Sequence, residues 1–112
     1  MDATVDFGDI QGLETAFRAL VIFKFSGDDD ANVFLGSPVM ADAVNRMLAA
    51  IEEYWVAAEN QKRADDWRDL YILSNVKRHR DLISLYLPSH NNWSNLSRFE
   101  RLEWLRVIAS PG

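Results

Sequence analysis

Between Ser37 and Ala58 an apolar residue recurs at every third or fourth position: Met40, Val44, Met47, Leu48, Ile51, Trp55 and Ala58. That spacing lays one apolar stripe along one side of an α-helix, and Asp42, Asn45, Arg46, Glu52 and Glu53 fall largely on the other. The start of the helix is marked as well. Ser37 offers a hydroxyl to the free amides of a first turn, and Pro38 lacks an amide proton where none is needed. A helix this long owes most of its stability to packing, so other segments must cover its stripe.

Several segments can. Ser97 and Glu100 form a capping-box pattern, after which Phe99, Leu102, Leu105 and Ile108 repeat at helical intervals up to Pro111-Gly112. Asp65 to Ser74 and Arg78 to Leu87 read as shorter helices, with Trp67, Leu70 and Tyr71 on one stripe and Leu82, Leu85 and Tyr86 on the other. Pro88 stops the second, and Ser89 to Asn95 is a polar connection. Asp9 to Ser26 admits two periods. As a helix capped by Asp9 it aligns Ile10, Leu13, Phe17, Leu20 and Val21, and sets Glu14 four residues before Arg18. As a strand it alternates Phe17, Ala19, Val21, Phe23 and Phe25 with Arg18, Leu20, Ile22 and Lys24, with Asn32 to Leu35 returning as partner. The helical period is favoured. The expectation is a mainly α fold, a compact bundle of about four or five helices forming a single domain over residues 1–112, with a short β-hairpin at 17–35 (α+β) as the alternative.

A chain of 112 residues, nearly half of them apolar, can close a core without disulfides or a structural metal. Cysteine is absent, which removes thiol nucleophiles and cysteine-held metal sites. The amino terminus lacks the blocks of a secretory signal, and the apolar run Ala19 to Phe25 is too short to cross a bilayer. A cytoplasmic protein with no membrane association is therefore expected. On that route the glycosylation patterns at Asn92 and Asn95 read as polar loop residues and caps. Charge is uneven: up to Asn60 there are three basic and eleven acidic residues, and from Gln61 onward nine basic and six acidic. If the halves occupy different faces, the acidic one attracts a basic partner.

Asp28, Asp29 and Asp30, followed by Asn32, begin like a calcium-binding loop, but Val33 stands where such a loop needs glycine and Val39 where it needs glutamate. A solvated turn or an acidic contact surface remains. Lys77-Arg78-His79-Arg80 is the one concentrated basic cluster, and Trp67, Tyr71 and Tyr86 are near it in sequence. It opens an expected helix, where positive charge opposes the dipole, so it serves either salt bridges to the acidic half or an external anion. His79 and His90 fit no metal-binding or nucleophile-activating pattern, and adjacency of Ser89, His90, Asn91 and Asn92 is not spatial convergence. The pairs Glu52-Glu53, Asp65-Asp66 and Glu100/Glu103 lie on polar helix sides, where carboxylates make poor general acids near neutrality. The glycines form no nucleotide-wrapping spacing. Trp93 stands in a polar loop, as either a plug or an anchor for another protein; Trp104 is lateral to its helix's apolar stripe.

No enzyme, cofactor or metal is expected from these patterns. The favoured reading is a small acidic protein-binding module, of the stoichiometric inhibitor or immunity-protein kind, meeting a basic partner through Asp28, Asp29, Asp30, Glu52, Glu53 and Trp93. The alternative is a helical nucleic-acid-binding module using Lys77, Arg78 and Arg80, with Arg98 and Arg101. An enzyme whose site converges only in space ranks third, and a homo-oligomer is compatible with each.

Overall fold

The computed structural model describes residues 5–71, 76–87 and 93–111. Six α-helices and no strand occur among them: α1 (Ile10–Lys24), α2 (Asp29–Leu35), α3 (Pro38–Ala57), α4 (Gln61–Leu70), α5 (Lys77–Tyr86) and α6 (Arg98–Ala109). The mainly helical expectation holds, with more helices than the expected four or five.

The hairpin at 17–35 is corrected to two helices. Asp9 accepts from the Gly12 amide and starts α1, which buries Phe17 and Val21 one turn apart and turns Arg18, Ala19, Ile22 and Phe23 outward. A strand would have needed a covered partner; the expected return segment, Asn32 to Leu35, lies within α2, which buries Ala31 and Leu35. Asp29 and Asp30 occupy the first turn of α2, where negative charge meets the positive end of the helix dipole. The acidic turn is thus a helix start.

Ser37 caps α3 as expected, accepting from the Met40 amide, and Val44, Leu48 and Ile51 are fully buried. Helix α4 begins four residues before the expected Asp65, because the Asn60 side chain accepts from the Arg63 amide. Asn60 also ends α3: its amide donates to Trp55 O at 2.8 Å, and that of Glu59 to Val56 O at 3.0 Å. These two bonds close a left-handed helix stop, with Glu59 at φ 59° in a place glycine usually takes. Pro88 to Asn92, with His90, lie outside the described residues, as does the stretch 72–75 that includes Ser74.

In α6 the capping box between Ser97 and Glu100 is complete. Its expected buried stripe is corrected: Phe99 is 71% exposed and Leu102 50%, while Trp104, Leu105, Ile108 and Ala109 meet the core. A step of three residues falls about 60° short of a full turn, so three such steps carry Ile108 to the side of the helix opposite Phe99. Of the residues expected on the stripes of α4 and α5, Trp67 is buried, whereas Leu70 and Leu85 are exposed and Ile83 is buried in α5 instead.

All six helices contribute to one core. Phe17, Val21, Leu35, Val44, Leu48, Ile51, Trp67, Ile83, Ile108 and Ala109 belong to it, together with Phe25. Phe17 meets Tyr71 edge-on at 5.0 Å between ring centroids, in the arrangement aromatic quadrupoles favour. Among the described residues no helix is long and apolar enough to cross a membrane.

Candidate functional site

The acidic residues singled out from sequence do not share one environment. Asp28, Asp29 and Asp30 are exposed at the turn into α2. Glu52 faces inward: Arg68 on α4 holds its Oε1 at 2.6 Å, and its side chain is 27% exposed. Glu53 is exposed, beside a shallow apolar depression formed with Ala49, Val56 and Ala57. Trp93 opens a short 3-10 turn, Trp93–Asn95, and is half-buried. Arg101 lies over its ring at 5.6 Å and donates to Trp93 O at 3.2 Å and Ser94 O at 3.1 Å.

The basic cluster is divided by the helix that carries it. Lys77 pairs with Asp81 one turn on at 2.9 Å, an exposed pair. Arg78 and Arg80 are exposed, whereas His79 turns inward and stacks on Phe25 at 3.9 Å and 13°. Burial holds the His79 imidazole below its ordinary range, with the charges of Arg78 and Lys24 adding to the effect. Of the basic residues added to this group from the carboxyl-terminal half, Arg101 spends its donors on the 93–94 turn and Arg98 is exposed.

Two buried polar constellations depart from what spacing indicated, which set Glu14 against Arg18; among the described residues no Glu14–Arg18 ion pair forms, because Glu14 turns to α3 and α4 instead. The first is Lys24, fully buried at the end of α1. Its Nζ donates to Val107 O at 2.9 Å and Ser110 O at 2.6 Å, capping the carboxyl end of α6 where the helix dipole is negative. Burial pulls its pKa down to about 8. The second is Glu14, which accepts from the Trp55 indole at 3.0 Å and faces Arg63 at 3.9 Å. Arg63 in turn lies 4.3 Å over the Trp55 ring, and Arg18 lies 4.9 Å over Trp67. Glu14, with Gln11, Thr15, Arg18 and Arg63, lines a polar recess of ≈ 380 Å³ between α1 and α4.

An apolar groove of ≈ 270 Å³ lies between the start of α3 and the outer side of α6. Pro38, Phe99, Trp104 and Val107 form its walls, and Glu100 and Glu103 stand on its rim. The drift of the α6 stripe creates it, since the same helix must bury Ile108 at one end and leave Phe99 outward at the other. Glu100 is kept ionised by the Ser97 backbone and hydroxyl, which hold its carboxyl below the usual range. Glu103 meets Arg106 at 3.6 Å on an exposed surface, a contact that water and salt weaken readily.

Among the described residues no group of three or more His, Asp or Glu side chains is placed to hold a metal ion. Compared with protein-family models, curated proteins and solved structures, the chain matches none.

Proposed function

We propose that the chain is a protein-binding module whose α3–α6 groove takes a basic amphipathic helix of a partner protein. The observation that carries this reading is an outward phenylalanine, Phe99, in an apolar groove edged by the carboxylates of Glu100 and Glu103. An apolar face with basic residues at its margins matches that lining in both respects, and a helix in a groove is a recurrent way of presenting both together. The excess of acidic residues, net −5, and the exposed Asp28, Asp29 and Asp30 add attraction at a distance for such a partner. Glu52 is occupied by Arg68, so the contact surface shifts from the Glu52–Glu53 face to α6. A stoichiometric inhibitor would use the same groove to cover a basic functional surface of its target.

A synthetic amphipathic helix of Lys and Leu tests the reading, with a Glu and Leu counterpart as control and tryptophan fluorescence as readout, because Trp104 lines the groove. The Lys/Leu helix should bind and the Glu/Leu helix should not. Affinity should drop about tenfold from low to physiological salt, and about tenfold or more in Phe99→Ser. Equal binding of both peptides, or an unchanged affinity in Phe99→Ser, overturns the proposal. A low-salt shift of labelled RNA that Arg78→Ala and Arg80→Ala remove, without peptide binding, would transfer the function to the exposed basic side of α5.

A further inference from the structure

The recess between α1 and α4 has the properties of a small-anion site, and the geometry points to a carboxylate as its ligand. Gln11, Glu14, Thr15 and Arg18 stand at successive turns of α1 and so share one helix face, with Arg63 of α4 opposite. Two guanidinium groups therefore flank one polar depression. Each lies over an indole, Arg18 at 4.9 Å from the centre of the Trp67 ring and Arg63 at 4.3 Å from that of Trp55, a cation–π contact that engages the charge and leaves the N–H fork of the guanidinium available. That fork matches the two oxygens of a carboxylate. Neither arginine is held tightly by a carboxylate of the chain: the contact of Arg63 to Glu14 is 3.9 Å, beyond hydrogen-bond distance, and Arg18 forms no ion pair among the described residues. The Thr15 hydroxyl and Gln11 amide supply further donors at the rim.

Glu14 sets the selectivity. Its buried carboxylate is anchored by the Trp55 indole, so the recess carries two positive charges and one negative. A singly charged ligand balances that sum. A dianion does not, and its second charge meets Glu14 in a partly desolvated setting where like charges repel strongly. A monocarboxylate is therefore favoured over the phosphate dianion.

The test is an NMR titration of the whole ¹⁵N-labelled chain with sodium acetate, and separately with inorganic phosphate at slightly alkaline pH, ionic strength being held constant with chloride. Acetate should shift the Trp55 and Trp67 indole N–H and the Arg18 and Arg63 Nε–H signals saturably, with millimolar affinity. Phosphate should bind about tenfold more weakly, and Arg18→Gln should lose about tenfold in acetate affinity. Arg18 is exposed, and an unchanged melting temperature will show that its replacement leaves the fold intact. Thr15→Val, also at an exposed position, gives a second and smaller loss. Shifts that never saturate, an Arg18→Gln affinity equal to that of the parent, or phosphate binding as tightly as acetate each overturns the assignment. The recess shares no residue with the α3–α6 groove, so either result stands without the other.

Discussion

Lys24 shows how one side chain ties the amino-terminal helix to the carboxyl-terminal one. In sequence it is the charged boundary of an apolar run; in the fold it is fully buried and donates to two carbonyls of the last turn of α6. No spacing rule reveals this, because the partners are backbone groups more than eighty residues away. The linkage has a definite sign. With a folded pKa of about 8 against an ordinary 10.5, the native state binds fewer protons than the unfolded chain between those values, so stability rises with pH across that window. The full rise is on the order of 3 kcal/mol. Tyr71 opposes it at the top of the range: burial raises its pKa above 10, so its contribution is present below that value and lost as pH climbs beyond it. Urea unfolding should therefore show stability climbing from pH 8 and turning over near pH 10. In Lys24→Met the climb should be absent; a parental climb in that variant would remove Lys24 as its cause. On the acid side, His79 has a lowered pKa, so its contribution is complete above 6.5 and fades as pH falls through the folded value. His79→Phe keeps a ring stacked on Phe25 and should flatten that acid arm.

At the scale of elements, the sequence was most legible where a chemical cap coincided with a regular stripe. Ser37-Pro38 and Ser97/Glu100 set the starts of α3 and α6 where expected. The period of α1 was settled by Asp9, whose carboxylate stops a strand reading by satisfying a first-turn amide. Legibility failed where an i+3 repeat stood without its i+4 companions, as in α6, because such a repeat walks around the helix and ends on a different face. It failed again at α2, where a short helix with an acidic first turn looked like turn plus strand. The joint between α3 and α4 was hidden for another reason: Glu59 holds a left-handed conformation that sequence assigns to glycine. A side chain there costs about 1 kcal/mol. Glu59→Gly should accordingly stabilise the chain by about 0.5–1 kcal/mol in urea unfolding, and Glu59→Val should destabilise it by more. A loss of stability in the glycine variant would mean that the Glu59 side chain contributes more than its backbone costs.

For the whole molecule, two ion pairs join the acidic half of the sequence to the basic half. Glu14 of α1 faces Arg63, and Glu52 of α3 pairs with Arg68, so the acidic half and α4 are joined along one seam. Asp28, Asp29 and Asp30 stay exposed at the start of α2, and the groove proposed for a partner is apolar, with Phe99 of α6 in its wall. Charge totals in the sequence could indicate the sign of a partner but not this location, which depends on how α6 is rotated against the core. The rotation separates two large apolar side chains, Phe99 and Ile108, that look equivalent in the repeat Phe99, Leu102, Leu105, Ile108. Ile108 is fully buried, and Ile108→Ala should cost about 2–5 kcal/mol through lost burial and the cavity left behind. Phe99 is mostly exposed, so Phe99→Ser should change stability by no more than about 0.5 kcal/mol. Measured side by side by urea unfolding, the two variants test the orientation of α6 independently of any ligand. Comparable losses at both positions would mean that Phe99 is packed inside, and the groove with it would be filled. A near-neutral Phe99→Ser that has nonetheless lost the basic helix assigns residue 99 to recognition, since neither a cavity nor unfolding then accounts for the loss.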